Sequence, residues 1–233
     1  MKLVFIHGSG NTAEAWHYQI MHFPDADAVN LPGHLSPDEP CTSVEDYVDW
    51  LHNYILEHKY YDPVLVGHSL GSAICQIYAL KYSQDIKGLV LIGAGARLRV
   101  APEFVSAMQE GIKEPSSWLK NFVEPRYSRV APEVREKLIA KVAEVGPAVQ
   151  LNYLFCCDKF DIMDKIDQIE VPTLVICGSE DEMTPPKYAS YLAAKIKGAK
   201  LALIDGGTHL VFAEQPGAVN QAIEQFLASL EIE

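Results

Sequence analysis

The pentapeptide Gly-His-Ser-Leu-Gly at residues 67–71 has the residue types and spacing of a serine nucleophile. A short apolar run, residues 63–66, precedes it, and a helical pattern over residues 72–82 follows it. In the order strand, sharp turn, helix, the G-x-S-x-G pattern lifts the serine hydroxyl above the sheet. The positive end of the following helix then points at the site. We therefore predict that Ser69 is a nucleophile.

A serine hydroxyl is a weak nucleophile at neutral pH and needs a base that a third group orients. With this turn, the expected chain order is serine, then acid, then histidine. Asp181 follows the apolar run at residues 173–177, and His209 follows the run at residues 200–204. Because open α/β sheets place their sites at the carboxyl ends of strands, we predict that Ser69, Asp181 and His209 meet there as catalytic residues.

Other acids and histidines compete for these roles. The competing acids are Glu180, Glu182 and Asp205. We interpret all three as solvated or capping charges. Asp205 is a weaker candidate than Asp181 because it still lies at the tip of its strand rather than in the loop beyond it. His7 and His68 are interpreted as structural or pocket-lining side chains, because His209 has both the chain order and the location of a base.

The loop after the first apolar run reads His-Gly-Ser-Gly at residues 7–10. A tetrahedral oxyanion needs backbone N–H donors aimed at it. One donor should be Leu70, directly after the nucleophile, and the other should come from the loop after the first strand. Ser9 is our prediction for that second donor.

The elements that must position these residues alternate along the chain. Apolar runs occupy residues 2–6, 28–31, 63–66, 88–92, 173–177 and 200–204. They lack clean alternation, as is typical of strands buried on both faces of a parallel sheet. Helical patterns at residues 43–58, 72–82 and 218–230 lie between or after them. This order predicts an α/β three-layer sandwich with a mostly parallel sheet of about six strands.

Residues 97–168 break this alternation of strands and helices, because they contain no strand-like run. Their pattern predicts several helices, with a break at Gly146. We predict that they form a helical cap inserted into a core made of residues 1–96 and 169–233. The candidate pocket residues are Trp16, His68, Arg97, Met108, Trp118, Phe122 and Phe155. Arg97 and Arg99 are further candidates for binding a carboxylate on the substrate.

Several motifs together resemble the α/β-hydrolase superfamily, over nearly the whole chain. They are His7-Gly8 with Trp16 downstream, Leu31-Pro32-Gly33-His34, the 67–71 pentapeptide, Gly178 to Asp181 with Pro185, and Gly207-Thr208-His209. The resemblance is to the small serine carboxylesterase and C–C hydrolase branch with a helical cap. It implies the same triad, Ser69, Asp181 and His209, with Ser9 and Leu70 as oxyanion donors. The leading antiparallel hairpin common in the family is missing, as in plant-type esterases and hydroxynitrile lyases, and that branch stays open.

Composition restricts the partners. The 233 residues carry a net charge of −12, which disfavours nucleic acid and anionic membranes as partners, since both reward clusters of Lys and Arg. The apolar run at residues 3–6 is too short for a signal peptide, and no apolar stretch is long enough for a membrane span. Five cysteines without a CxxC spacing and eight scattered histidines give no metal pattern. We expect a cytoplasmic protein with a small-molecule ester substrate, no metal and no cofactor; the sequence leaves the oligomeric state open.

Three other functions remain as alternatives. The same triad serves lactonases, thioesterases and C–C bond hydrolases, and function lies in the pocket rather than the fold. A non-catalytic ligand-binding protein on this fold is a second alternative. The third is a dinucleotide-binding oxidoreductase, because residues 8–13 match G-x-G-x-x-A after a strand. That pattern also wants an acid at the end of the second strand, where this chain has Asn30-Leu31-Pro32.

Overall fold

A computed structural model of the chain describes residues 1–231. Within them the strands are β1 (Leu3–Ile6), β2 (Asp27–Val29), β3 (Val64–His68), β4 (Gly88–Ile92), β5 (Thr173–Gly178) and β6 (Lys200–Ile204). They form one sheet in the order β2-β1-β3-β4-β5-β6, and each neighbouring pair is parallel. The predicted α/β class and the six-stranded parallel sheet are confirmed.

The helices lie between these strands and after the last. They are α1 (His17–His22), α2 (Val44–Glu57), α3 (Leu70–Lys81), α4 (Pro102–Lys113), α5 (Pro115–Trp118), α6 (Glu124–Arg126), α7 (Pro132–Lys159), α8 (Pro186–Lys195), α9 (Val211–Glu214) and α10 (Pro216–Leu230). A π-helical turn, Leu119–Val123, joins α5 to α6. Short 3₁₀ turns occur at Ala13–Trp16, Ser83–Asp85 and Ile166–Gln168.

Successive strand residues feed two hydrophobic cores, one on each face of the sheet. Leu65 packs into the core that contains side chains of α2, α3 and α8. Val66, the next residue, packs into the core that contains side chains of α10 and of the helices between β4 and β5. The molecule is thus a three-layer sandwich. β6 is an exception to burial on both faces, because it forms the edge of the sheet and leaves Leu201 and Leu203 exposed.

Element bounds differ from the predicted ones mostly at turns. The second strand was predicted at residues 28–31, but β2 ends at Val29. The reason is that Leu31 N–H donates to the His7 imidazole rather than to a neighbouring strand, at 3.1 Å. Helix α3 begins at Leu70, two residues before the predicted start, because the turn at Ser69 leads directly into it.

Residues 102–159, here called the inserted helices, lie between β4 and β5. The chain breaks inside α7 at Gly146, whose φ of +82° and ψ of 163° are not helical, as the Gly-Pro pair predicted. An antiparallel bridge between Arg97 and Asp161 joins the two ends of the insertion. Over residues 1–231, no helix is both long enough and apolar enough to cross a membrane.

Candidate active site

Ser69 occupies the turn between β3 and α3. Its φ of +51° and ψ of −115° lie in a region that non-glycine residues rarely adopt, so this backbone is strained. Four hydrogen bonds hold the turn in this conformation, one of them from Ser72 N–H to Ser69 O at 2.9 Å. Ser69 N–H donates to Ile92 O on β4 at 3.0 Å, and Ser69 O accepts from Ser72 Oγ at 2.6 Å and from Ala73 N–H at 3.2 Å. The neighbouring strand and helix together hold the serine at this turn.

The glycines on either side of the turn have no room for a side chain. A Cβ atom built on Gly67 would lie 2.3 Å from Gly71 O, and one on Gly71 would lie 2.2 Å from Ile6 O. Both contacts are with backbone atoms, which cannot swing aside as a flexible side chain can. The close approach of α3 to β1 and β3 therefore requires glycine at both positions.

Asp181 and His209 meet at the carboxyl ends of β5 and β6. His209 Nδ1 lies 2.8 Å from Asp181 Oδ2. Asp181 Oδ1 accepts from the N–H groups of Met183 and Thr184, both at 2.9 Å, and Oδ2 accepts from Thr184 Oγ1 at 2.8 Å. The carboxylate is buried, and these donors fix its orientation toward the imidazole.

The charge on Asp181 is stabilised despite its burial. Burial by itself raises the pKa of this carboxyl, but the nearby His209 and the hydrogen bonds from His209 and Thr184 together hold the pKa below its ordinary value. In the described chain, no other carboxylate lies within hydrogen-bond distance of His209. Glu180 pairs with Arg129 at 2.8 Å on the surface, and Asp205 accepts from Ser179 Oγ at 3.3 Å.

Ser69 and His209 line the same cavity, but no hydrogen bond within 3.5 Å joins them in the part of the chain that the structure describes. Catalytic hydrogen bonds are often long before a substrate binds and shorten in the complex. Gly93 lies close to this imidazole, because a Cβ atom there would be 3.0 Å from His209 Cε1. The glycine leaves the ring the space it occupies between Asp181 and the cavity.

The loop after β1 presses against the serine turn. A Cβ atom on Gly8 would lie 3.0 Å from Ser69 Cβ and 2.7 Å from His68 Nδ1. Leu70 N–H is the first amide of α3, so it has no partner within its own helix. Ser9 lies in the adjacent loop and lines the cavity. The two predicted oxyanion donors thus lie on two segments that are in contact.

Two buried histidines, His68 and His7, support this arrangement. His68 Nε2 donates to the His209 carbonyl oxygen at 2.9 Å, and burial lowers its pKa well below the ordinary value, so it is neutral near pH 7. His7 Nδ1 donates to Gly8 O at 2.9 Å, and burial lowers its pKa to about 4. These contacts agree with the interpretation that both histidines are structural, and His68 also touches the cavity wall.

Sequence reasoning assigned no role to His34. Its Nε2 accepts a hydrogen bond from Gly10 N–H at 3.3 Å, and its ring packs edge-on against His7 and Tyr153. It therefore anchors the far end of the loop that carries Ser9. The Leu-Pro-Gly-His motif at residues 31–34 was the available signal, but nothing in the sequence shows which amide its imidazole meets.

The glycine loop does not present its amides to a dinucleotide. Gly10 N–H donates to His34, and Ala13 N–H donates to Asn30 Oδ1 at 2.7 Å. The Gln150 side chain lies against Gly10, where a Cβ atom would be 2.6 Å from Gln150 Nε2. In a dinucleotide site, this loop instead lets the backbone approach a pyrophosphate. Across residues 1–231, no group of three His, Cys, Asp or Glu side chains is arranged to hold a metal ion.

A cavity of about 1190 Å³ opens above the serine, between the strand ends and the inserted helices. Among its lining side chains are Asn11, Phe104, Phe122, Arg126, Tyr127, Gln150 and Leu154. Most of these were absent from the sequence prediction. Tyr127 Oη donates to Asn11 Oδ1 at 2.7 Å, which ties the inserted helices to the loop after β1.

Of the predicted pocket residues, the structure brings Phe122 and His68 to the cavity. The others lie elsewhere. Trp16 is fully buried and packs on Phe5 and Phe212 beneath the site. Met108 and Trp118 are buried in the core that the inserted helices share with the sheet. Phe155 is 46% exposed and does not line the cavity. Arg97 lies on the surface, where its guanidinium is 3.8 Å from the Asp161 carboxylate.

Comparisons with known proteins give consistent relatives. A sequence model described as the Alpha/beta hydrolase family matches residues 3–222. An (E)-2-((N-methylformamido)methylene)succinate hydrolase of Acinetobacter baylyi is 28% identical, over 97% of this chain and 89% of that protein. A pimeloyl-[acyl-carrier protein] methyl ester esterase of Neisseria meningitidis is 23% identical, over 97% of this chain and 93% of that protein.

A solved structure described as a thermophilic esterase is 32% identical to the chain, with a TM-score of 0.82. The likeness covers 98% of this chain and 90% of that chain. The similarity therefore includes the sheet, the strand-end loops and the inserted helices together.

Proposed function

The chain belongs to the alpha/beta hydrolase family, and we propose that it is a serine hydrolase that cleaves carboxylic esters of small molecules. One observation carries the proposal. The buried Asp181 carboxylate contacts His209 Nδ1 at 2.8 Å, at the same strand edge as a serine in a strained turn. This combination orients a base whose second nitrogen is free to act on the serine hydroxyl.

In the proposed mechanism, Ser69 Oγ attacks the ester carbonyl carbon while His209 Nε2 takes its proton. Asp181 accepts the hydrogen bond from Nδ1–H, which fixes the tautomer and stabilises the imidazolium. His209 then protonates the leaving alcohol, and an acyl-enzyme remains. Water, deprotonated by the same imidazole, attacks the acyl carbon and releases the acid.

Stabilisation of the oxyanion is proposed for the N–H groups of Ser9 and Leu70. The contact of the Gly8 backbone with Ser69 supports this, because it brings the loop to the serine. His7 and His34 hold both ends of the loop through ring nitrogens, so its amides are fixed before the reaction. Fixed donors need no reorganisation as charge develops, and removing one costs about 3 to 4 kcal/mol in known cases.

We also infer that residues 97–168 act as a cap that shapes the substrate pocket. Phe104, Phe122 and Leu154 of the inserted helices line the cavity and offer apolar surface to an acyl or alcohol group. The relatives named as a methyl ester esterase and a thermophilic esterase support an ester substrate.

Two measurements test the proposal. A fluorophosphonate should label the wild-type protein at Ser69, and a short p-nitrophenyl ester should be hydrolysed. Ser69→Ala should abolish labelling and lower kcat by about 10³-fold or more. The matched control is Ser116→Ala, which removes an exposed serine hydroxyl from the inserted helices and should keep both activities.

A protein that neither reacts with the fluorophosphonate nor hydrolyses any ester would contradict the proposal and favour a ligand-binding role. A panel of ester, thioester, lactone and β-diketone substrates decides between the chemistries that share a triad. We expect the highest kcat/KM for esters, and a clear preference for another class would replace the ester assignment while keeping the nucleophile.

A further inference from the structure

Three arginines line the cavity, and two of them are already paired. Arg99 donates to Asp161 Oδ2 at 3.3 Å and also to the Asp158 carbonyl oxygen. Arg129 contacts Glu180 Oε2 at 2.8 Å and Gly206 O at 2.8 Å. Their charges are therefore compensated by the protein itself. This differs from the sequence expectation, in which Arg97 and Arg99 were the candidates for binding a substrate carboxylate.

Arg126 is the third arginine, and it has no such partner. Among residues 1–231, no carboxylate oxygen lies within 4.0 Å of its guanidinium. Its recorded hydrogen bond goes to Phe122 O, one helical turn back. Glu103 also lines the cavity, but it forms no ion pair with Arg126. A cation at the cavity wall thus lacks a counter-charge from the described chain.

Two aromatic rings hold the guanidinium in place. Its central carbon lies 3.5 Å from the centroid of Phe122 and 4.9 Å from that of Phe104, and both rings line the cavity. Stacking covers a face of the planar group and leaves its edge for hydrogen bonds. A guanidinium has five N–H donors, so most remain available. This is the arrangement that binds a carboxylate through two parallel hydrogen bonds.

The position of Arg126 is fixed relative to the reacting groups. Tyr127, the next residue, is buried and donates to Asn11 Oδ1 at 2.7 Å. Asn11 belongs to the loop that carries Ser9, beside Ser69. A substrate group held by Arg126 would therefore have a defined position with respect to the ester carbonyl.

We propose that Arg126 is a specificity-determining residue that binds a free carboxylate on the substrate, so that the preferred esters are monoesters of dicarboxylic acids. This assignment rests on the proposed ester hydrolysis for its readout, but carboxylate binding by Arg126 is testable without turnover. The guanidinium stacked on Phe122 and Phe104 gains a counter-ion from such a substrate, whereas a neutral ester leaves it unpaired.

The test compares two probes that differ only in charge. One is monomethyl adipate, and the other is its carboxamide analogue, in which CONH₂ replaces the free carboxylate. The wild-type protein should show a kcat/KM for the carboxylate probe about tenfold or more above that for the carboxamide, as expected for hydrogen bonds to a charged group. Monomethyl succinate and monomethyl glutarate then show which chain length best spans the distance between the Arg126 guanidinium and Ser69.

Arg126→Gln should bring this ratio close to unity, and Arg126→Lys should give an intermediate ratio, because a point charge lacks the planar fork. The matched control is Arg135→Gln, which removes the same charge from a half-buried arginine of α7 outside the cavity lining. It should keep the wild-type ratio. A general loss of folding would lower kcat/KM for both probes and leave the ratio unchanged.

Binding to the Ser69→Ala protein, measured by calorimetry with the same two probes, separates this proposal from the function. If no ester is hydrolysed but the carboxylate probe binds about tenfold more tightly than the carboxamide, and Arg126→Gln removes the difference, the carboxylate site stands and the esterase proposal fails. Equal binding of the two probes, or a preference that survives Arg126→Gln, overturns the carboxylate site.

Discussion

The strand edge that carries Ser69, Asp181 and His209 and the inserted helices above it are specified in opposite ways. At the strand edge, backbone segments approach so closely that a Cβ atom on Gly71 would lie 2.2 Å from a carbonyl oxygen. In the inserted helices, Gly146 has no atom within 4 Å of such a Cβ. At the strand edge these close contacts are with backbone atoms. In the inserted helices, Gly111 meets the Trp118 side chain instead, and Gly146 is required by its backbone angles alone.

Under the proposed function, this difference assigns the chemistry to the strand edge and the choice of substrate to the inserted helices. The strand edge holds His209 and Asp181 at a short distance, 2.8 Å between Nδ1 and Oδ2. The inserted helices present side chains such as Arg126 and Phe122 to the cavity. We expect that side chains of the cavity wall can be exchanged without moving the backbone that holds Ser69, Asp181 and His209.

The largest expected effect falls on the strand edge. Asp181→Asn should lower kcat for a p-nitrophenyl ester by about 10⁴-fold, because an amide in place of the carboxylate favours the wrong imidazole tautomer. Asp205→Asn, one strand over, is the matched control and should leave kcat unchanged, since this carboxylate contacts Ser179 rather than His209. Equal losses in the two variants would contradict the assignment of the orienting acid.

Glycine substitutions test the comparison through stability. Gly71→Ala should lower the free energy of unfolding by at least about 3 kcal/mol, because the methyl group meets β1 backbone. Gly146→Ala should cost only about 1 to 3 kcal/mol, because its φ of +82° and ψ of 163° lie in a region that is essentially restricted to glycine, with no close contact added. Urea unfolding of both variants measures the difference, and similar losses would show that the regions are equally constrained.

The same contrast sets how much was predictable from the sequence. Buried strands and glycine-bounded turns leave strong local patterns, so the sheet and the positions of the three candidate catalytic residues followed from short segments. The role of His34 did not, because it depends on a contact with Gly10, 24 positions away. Of the seven predicted pocket residues, Phe122 and His68 line the cavity, because helix periodicity does not tell whether an apolar side chain faces a core, as Met108 does, or a cavity.

Acid should destabilise the strand edge through its buried histidines. The pKa of His7 is lowered from 6.5 to about 4 in the folded protein, so between these values the unfolded chain binds more protons. The free energy of unfolding is therefore highest above pH 6.5 and should fall by about 1.4 kcal/mol per pH unit from this residue as pH drops toward 4.

Urea unfolding at several pH values measures this dependence. His7→Gln should reduce the slope of the free energy of unfolding against pH, because one titrating group is lost. This expectation holds whatever the effect of the substitution on absolute stability. His17→Gln replaces an exposed histidine and is the control for the change of side chain. A slope that His7→Gln leaves unaltered would rule out this residue as the acid-sensitive group.

The smallest effects are expected among the inserted helices, where two phenylalanines distinguish cavity wall from outer surface. Phe122 lines the cavity, so Phe122→Leu should raise KM for a neutral p-nitrophenyl ester about fivefold, or about 1 kcal/mol of binding. Phe155 is 46% exposed and does not line the cavity. Phe155→Leu should therefore leave KM unchanged and should alter the free energy of unfolding by no more than about 0.5 kcal/mol. Because both variants remove an aromatic ring from the same helical insertion, a matching rise in KM would mean that the insertion acts through its packing as a whole. A rise confined to Phe122→Leu would show that individual wall residues set substrate affinity while the strand edge keeps the chemistry.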